Sequence, residues 1–254
     1  MIRILMTRLQ QQHRTMAFPD GAPPDLPERF RGRPEVDAAK CLADCSRCQD
    51  VCPTDAIVNG DGKVAIDLGK CLFCSDCVRA CTPGAIQFTK DYRLATDQRQ
   101  DLVMQDNALR IARGLQGETR RLFGRSLKLR QVSAGGCNAC EMDVNVLGTV
   151  GWDLGRFGIQ MVASPRHADG LLVTGAISAN MRLALEKTYQ AVAAPKIVIA
   201  VGACAISGGP FAGHPEVANG LEGILPVDLY VPGCPPHPLT ILDGLLRFLG
   251  RIEG

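Results

Sequence analysis

Cysteine is the residue type that gives this chain its chemistry. The twelve cysteines are not scattered. Cys41, Cys45, Cys48 and Cys52 lie within twelve residues, and Cys71, Cys74, Cys77 and Cys81 lie within eleven. The remaining four are a pair, Cys137 and Cys140, and two distant singles, Cys204 and Cys234. Thiolates are soft metal ligands. Arg3, Thr7 and Arg8 interrupt what would be the apolar stretch of a signal peptide, so nothing in residues 1–10 points to export. In a reducing compartment twelve cysteines read as metal ligands rather than as six disulfides.

The second run reads C-x2-C-x2-C-x3-C. This is the spacing that holds [4Fe–4S] clusters in bacterial ferredoxins, where the fourth cysteine of each run serves the other cluster. The first run has one extra residue between Cys41 and Cys45, and from there it repeats the second. Cys45, Cys48, Cys52, Ala56 and Ile57 recur 29 residues later as Cys74, Cys77, Cys81, Ala85 and Ile86. The duplication predicts a pseudo-symmetric ferredoxin-like α+β module over residues 41–89. One cluster falls on Cys41, Cys45, Cys48 and Cys81, the other on Cys71, Cys74, Cys77 and Cys52. Pro53 follows its cysteine as the pattern asks, whereas after Cys81 the proline is displaced to Pro83. Zinc sites also use C-x2-C pairs. They want two pairs separated by a longer loop, while here four cysteines crowd each run and the whole run repeats.

The elements that position these residues follow from length and pattern. At 254 residues the chain has about two domains' worth of sequence. A net charge of +2 is too close to neutral for a nucleic-acid binder of this size. The longest apolar stretch, residues 197–206, falls well short of the ~18 residues a membrane span needs, so no span of its own is expected. Ile2, Leu5, Met6 and Leu9 share one helical face, with Arg3, Arg8 and Arg14 elsewhere, which predicts an amphipathic docking element over residues 1–20. Residues 90–126 are polar, and Leu102, Val103, Leu109 and Leu115 predict one amphipathic connector helix ending near Gly114 or Gly117. Arg120, Arg121, Arg125, Lys128 and Arg130 form a basic segment, read as a solvated face.

From Leu127 onward, short apolar runs alternate with helical stretches, which reads as an α/β unit with a parallel sheet. Strands are expected at 127–133, 159–163, 171–174, 196–201 and 227–231, and helices at 142–148, 179–192 and 239–249. Cys137 and Cys140 then follow the first strand, Cys204 the fourth and Cys234 the fifth. All four project from carboxyl ends of strands, where open α/β sheets bind ligands. Glycines and prolines around them suit a close backbone approach, so a third [4Fe–4S] cluster is expected, the alternative being four buried structural cysteines. The chain divides accordingly into a docking extension (1–35), a two-cluster domain (36–90), a connector (91–126) and a C-terminal cluster domain (127–254).

Several segments resemble a known family. Ala-Gly-Gly-Cys-Asn-Ala-Cys-Glu (134–141), Ser-Pro-Arg-His-Ala-Asp (164–169), Val-Gly-Ala-Cys (201–204) and Pro-Val-Asp-Leu-Tyr-Val-Pro-Gly-Cys-Pro-Pro (226–236) are similar to the small subunit of energy-converting [NiFe] hydrogenases of the formate hydrogenlyase type. The order also resembles the complex I subunit that carries the last cluster. That family places its first two ligands as adjacent cysteines, whereas Cys137 and Cys140 have the hydrogenase spacing. Phe-Arg-Gly-Arg-Pro-Glu (30–35) and the two cysteine runs resemble the separate two-cluster subunit of the same complexes, so the chain looks like a fusion of two neighbouring subunits.

The resemblance implies a flavodoxin-like C-terminal domain and an electron relay through three [4Fe–4S] clusters to or from a nickel–iron site on a separate large subunit. It also implies further soluble and integral-membrane partner subunits, and a cytoplasmic, peripheral position on the inner membrane. No cysteine set remains here for nickel. Glu141 and Asp143 resemble acidic residues of a proton path, although acidic residues opening a helix also complement its positive end. Arg166 and His167 would face the large subunit or tune the last cluster. Two other readings stand beside this one. One is an equivalent subunit of a complex I-like quinone or ferredoxin oxidoreductase without hydrogenase activity. The other is a carrier whose C-terminal domain binds no cluster.

Overall fold

The computed structural model describes residues 2–12, 14–42, 45–60 and 63–252. Helix α1 (Ile2–Gln11) buries none of its side chains. Beyond it the chain reaches the main body sooner than the sequence suggests. Phe18 is buried in the C-terminal core, and Arg156 donates to the carbonyls of Met16 and Phe18 at 2.7 and 2.6 Å.

The duplicated cysteine runs fold as two interlocked copies of one unit. The first is β1 (Pro34–Val36), α2 (Arg47–Asp50) and β2 (Ile57–Gly60); the second is β3 (Lys63–Asp67), α3 (Asp76–Ala80) and β4 (Ile86–Phe88). Each strand pairs with the opposite copy, β1 antiparallel to β4 and β2 antiparallel to β3. The repeated Ala-Ile pairs explain the arrangement. Ala56, Ile57, Ala85 and Ile86 are all buried, so the two copies contribute the same apolar pair to the shared interior.

The connector differs from the expected single helix. Arg99–Leu102 form one 3-10 turn, β5 (Val103–Met104) pairs with β3, residues 105–116 are irregular, and α4 (Gly117–Phe123) begins where the expected helix should end. Tertiary partners account for the difference. The Leu102 carbonyl takes the Leu68 N–H at 2.9 Å, Thr96 pairs with Tyr230, and Leu115 N–H bonds to the Phe248 carbonyl at 2.8 Å. Anchors on separate surfaces pull the segment into an extended strap. In the basic segment, Arg120, Arg121, Arg125 and Lys128 are exposed.

The C-terminal part is a five-stranded parallel sheet, ordered β10–β9–β8–β6–β7. Its elements are β6 (Leu127–Ser133), α5 (Ala139–Val146), β7 (Ile159–Met161), β8 (Gly170–Thr174), α6 (Ala179–Ala191), β9 (Ile197–Val201), α7 (Ala203–Ser207), β10 (Leu229–Val231) and α8 (Pro238–Phe248). Each expected strand is present within a few residues of its expected ends. Strands β8, β9 and β10 are buried throughout, as a parallel sheet covered on both faces requires. Numbered from β6, the strand order is 2-1-3-4-5, which puts the topological switch point between β6 and β8.

Helix α8 is buried along its whole length. Within it Asp243 and Arg247, one turn apart, form an ion pair at 2.8 Å with side chains 1% and 7% exposed. Removing one member of a buried pair strands the other charge, at a cost of about 3–5 kcal/mol. Arg247→Ala, which leaves the buried Asp243 carboxyl without this guanidinium, is therefore expected to lower the urea midpoint of the chain sharply, whereas Arg182→Ala, which breaks an exposed pair on α6, should leave it nearly unchanged.

Candidate metal centres

All twelve cysteines are free thiols. Cys48 and Cys77 lie inside α2 and α3, Cys52 and Cys81 just beyond the same helices, and Cys41, Cys45, Cys71 and Cys74 in the loops before them. Their mutual electrostatics group them across the two copies. Burial pushes the Cys48 thiol up, and negative charge on Cys41 and Cys81 pushes it further. Burial takes Cys71 to about 12, with Cys77, Cys52 and Cys74 adding to the rise. Cys77 stands at about 11, again chiefly through burial, with Cys74, Cys52 and Cys48 as its neighbours. Cys81 thus lies within the range of charge of Cys48, Cys52 within that of Cys71 and Cys77, and Cys48 within that of Cys77. Cys45 adjoins residues 43–44, outside the described residues, and its carbonyl accepts the Asn59 side-chain amide at 2.7 Å.

The two copies present backbone donors to sulfur in the same way. Ala56 N–H donates to Cys52 Sγ at 3.2 Å, and its counterpart Ala85 N–H donates to Cys81 Sγ at 3.2 Å. Phe73 N–H donates to Cys71 Sγ at 3.3 Å. Such bonds stabilise charge on sulfur and are among the factors that set the potential of an iron–sulfur centre.

The last four cysteines all lie at or just beyond the carboxyl edge of the parallel sheet. Cys137 follows β6, Cys140 lies in α5, Cys204 in α7 directly after β9, and Cys234 in the loop after β10. Burial raises Cys140, with Glu141, Cys204, Cys234 and Cys137 adding to it. Burial likewise takes Cys204 to about 11, helped by Cys234, Cys137 and Glu141. Cys137 and Cys234 are exposed. Glycine is required at two close approaches. A Cβ on Gly202 would lie 2.5 Å from Cys140 Sγ, and one on Gly209 would lie 2.9 Å from Cys204 Sγ. Both residues have positive φ, which other residues adopt only with strain.

Glu141 is buried beside this set. Burial alone would raise its carboxyl, but hydroxyl donors outweigh that and hold it below the usual range: Ser133 Oγ and Thr174 Oγ1 each donate to Oε1 at 2.6 Å. Asp143 is raised by burial. Arg166 and His167 lie exposed in a single 3-10 turn. The histidine beside the cysteines is instead His237, which sequence reasoning missed. Its ring packs edge-on against Phe30 and Trp152, its Nδ1 accepts the Leu239 N–H at 3.1 Å, and it shares a cavity wall with Cys234 and Asp143. The signal was its place three residues after Cys234.

Among the described residues, no three His, Cys, Asp or Glu side chains close on a point suited to a single metal ion. The sets are joined at the range of charge rather than of contact. Their donor chemistry fits iron–sulfur clusters: many thiols close in sequence, ten of the twelve at least partly buried, with N–H groups aimed at sulfur and glycine at the closest approach. Left without metal, the raised thiols stay protonated; ligation would deprotonate them.

Comparison with known proteins agrees with both halves. Residues 33–83 match the 4Fe-4S dicluster domain, and residues 137–248 match the family of the 20 kDa subunit of NADH ubiquinone oxidoreductase. Formate hydrogenlyase subunit 7 of Escherichia coli is 45% identical over 129 residues, which are 51% of this chain and 51% of that protein. A Pyrococcus furiosus protein described as a probable membrane-bound hydrogenase subunit, mbhJ, is 41% identical over 52% of this chain and 79% of its own length. A subunit of the NADH-quinone oxidoreductase of Phocaeicola vulgatus is 44% identical over 46% of this chain and 59% of its own length. A chain in the solved structure of the membrane-bound sulfane sulfur reductase, an archaeal respiratory membrane complex, matches 52% of this chain and 73% of itself at 31% identity and TM-score 0.46. The class is thus an oxidoreductase subunit with iron–sulfur domains. The chain belongs to the family of the 20 kDa subunit and its hydrogenase relatives, here preceded by a dicluster domain. It spans about half the length of formate hydrogenlyase subunit 7.

Proposed function

We propose that this chain is the electron-relay subunit of a membrane-associated hydrogenase complex of the formate hydrogenlyase type, with three [4Fe–4S] clusters. The ligands would be Cys41, Cys45, Cys48 and Cys81 for the first, Cys71, Cys74, Cys77 and Cys52 for the second, and Cys137, Cys140, Cys204 and Cys234 for the third. Bound clusters of this kind accept and release single electrons. The observation that carries the reading is the grouping of the thiols into three sets. The charge of Cys74 also reaches Cys234, which links the second set to the third. That neighbourhood orders the relay as first, second, third, with the third facing a [NiFe] large subunit. The hydrogenase reading is preferred to a complex I-like quinone or ferredoxin oxidoreductase by the two residues between Cys137 and Cys140. Iron and acid-labile sulfide in the anaerobically purified chain test the cofactors. Three cubanes per chain support the relay, whereas two would leave the C-terminal domain as a docking carrier.

Glu141, held by two hydroxyl donors, serves as a fixed negative charge beside Cys140 and Cys204 rather than as a proton carrier. Asp143, which has the raised carboxyl, is the better of the two for proton passage. The 2-1-3-4-5 strand order supports a flavodoxin-like C-terminal domain. The division into residues 1–35, 36–90, 91–126 and 127–254 serves this relay: extension, two-cluster module, strap, and terminal domain.

No helix among the described residues is long and apolar enough to cross a membrane, so attachment to the cytoplasmic face is assigned to partner subunits and to α1. Its apolar residues Ile2, Leu5, Met6 and Leu9 are all more than half exposed. Deleting residues 2–11 is expected to shift the chain from the membrane to the soluble fraction with no loss of iron. Unchanged fractionation would remove α1 from the account.

A further inference from the structure

The Phe-Arg-Gly-Arg-Pro-Glu segment (30–35) leads into β1 and is anchored on both sides of Arg31. Gly32 N–H donates to the Thr89 carbonyl and Arg33 N–H to that of Asp91, each at 2.8 Å, so the β1–β4 pairing continues past the strand ends. A Cβ on Gly32 would lie 2.2 Å from the Asp91 carbonyl oxygen, which leaves room for glycine alone. On the other side, the Phe30 ring packs edge-on against His237, with centroids 5.4 Å apart.

Held between these anchors, Arg31 reaches the loop of the second cysteine run. Its Nη1 donates to the Phe73 carbonyl at 2.7 Å. Phe73 lies between Cys71 and Cys74, is 8% exposed, and has a φ of +53°, which a bulky side chain adopts only with strain. The strained backbone has a use: it brings the Phe73 N–H onto Cys71 Sγ at 3.3 Å while the carbonyl of the same residue goes to Arg31. Burial pushes the Cys71 thiol up to about 12, and the Phe73 N–H opposes that rise. The Phe73 ring stands 5.8 Å from that of Phe88 and walls the cavity of about 300 Å³ that Cys234 also lines.

The run as a whole is seated elsewhere. Ser207 Oγ donates to the Gly69 carbonyl at 2.9 Å, and Ile206 packs against Gly69, so α7 carries the turn before Cys71. Arg31 acts instead on the one residue whose N–H meets the sulfur. The arrangement is also particular to the second run, because at the 29-residue offset of the duplication Phe73 answers to Asp44 and not to another aromatic residue.

We propose that Arg31 is a positioning residue for the second cluster: by gripping the Phe73 carbonyl it keeps that residue's N–H on the Cys71 sulfur, and so raises the reduction potential of the cluster on Cys71, Cys74, Cys77 and Cys52. A cluster gains one negative charge on reduction, and an N–H aimed at a sulfur ligand favours the more negative form. Bonds at both ends of one residue fix its φ. Without the outer bond, Phe73 relaxes to the negative φ that its side chain prefers, and the N–H leaves the sulfur. The proposal rests on the reading that these four cysteines hold a [4Fe–4S] cluster.

The test is a reductive titration of the anaerobically purified full chain, followed by paramagnetic resonance at each cluster. Arg31→Ala is expected to make the second cluster harder to reduce by about tenfold in its reduction equilibrium, ~59 mV for a one-electron couple, in line with the loss of one hydrogen bond to a charged group. The first and third midpoints should stay in place. Arg31→Lys, which keeps a donor on a long stem, should restore most of the shift. Loss of positive charge would by itself lower the potential, and Phe73→Gly separates the two causes. Glycine adopts positive φ freely, so in that background the N–H stays on the sulfur without the grip, and Arg31→Ala should move the second midpoint little. If Arg31→Ala fails to take up the second cluster, Arg31→Gln is titrated in its place with the same expectation. An unmoved second midpoint, an equal shift of all three clusters, or the same shift with and without Phe73→Gly would overturn the proposal. Absence of the second cluster's signal in the unsubstituted chain would instead overturn the functional reading beneath it.

Discussion

Replacing Cys204 by Ala in the purified complex is expected to collapse electron transfer between hydrogen and an artificial dye, while the clusters of the two-copy module still reduce with dithionite. The reason is positional. Cys204 is seated at the start of α7, its sulfur against Gly209 and its charge coupled to Cys234 and Cys137. All twelve cysteines are assigned, so no spare thiol can replace it. The two-copy module takes no ligand from α7, and its own core residues Ala56, Ile57, Ala85 and Ile86 are untouched. In the proposed relay, loss of this one thiol would therefore break the route between a partner's nickel site and the second cluster without dismantling either end. Wild-type hydrogen oxidation with electrons arriving at the two-copy module would show that the C-terminal domain is not on the path.

The second large effect is selective within the module. Cys81→Ser is expected to damage the cluster whose other ligands are Cys41, Cys45 and Cys48, and to leave that of Cys71, Cys74 and Cys77 comparatively intact. Sequence proximity alone would give the opposite result, since Cys81 is four residues from Cys77. The proposed cross-over is the reason for expecting otherwise: the charge on Cys81 acts on Cys48, and the charge on Cys52 acts on Cys71 and Cys77. Cys52→Ser should show the reciprocal pattern. Paramagnetic resonance of the reduced variants distinguishes the two, and loss of the second signal alone in Cys81→Ser would contradict the assignment.

Both results depend on features that the sequence made legible to different degrees. The cysteine groups were readable because metal ligation constrains spacing, and the duplication was readable because each copy must supply the same Ala-Ile plug. The parallel sheet was readable because β8, β9 and β10 are short, mostly apolar runs that are buried throughout. Leu102 and Leu115 were misread as one helical face, because they answer to partners distant in sequence, Leu68 and Phe248, rather than to each other. His237 escaped notice for a related reason: its place beside Phe30 and Trp152 is set by the close of the β10 loop, which local pattern does not encode. Arg166 and His167, which the resemblance implies would face a large subunit or tune the last cluster, lie exposed in their 3-10 turn. The seating of Ile206 and Ser207 on Gly69 joins segments 138 residues apart. It becomes visible only once the two halves are packed.

The relay stands or falls on whether one chain holds three clusters in a fixed order. Stepwise reductive titration of the anaerobically purified chain, followed by paramagnetic resonance, is the most direct measurement. Three signals are predicted, with magnetic broadening between the first and second sets and between the second and third, and Cys204→Ala should remove the third signal together with its broadening of the second. Two signals only, or broadening of the third by the first with the second isolated, would contradict the account.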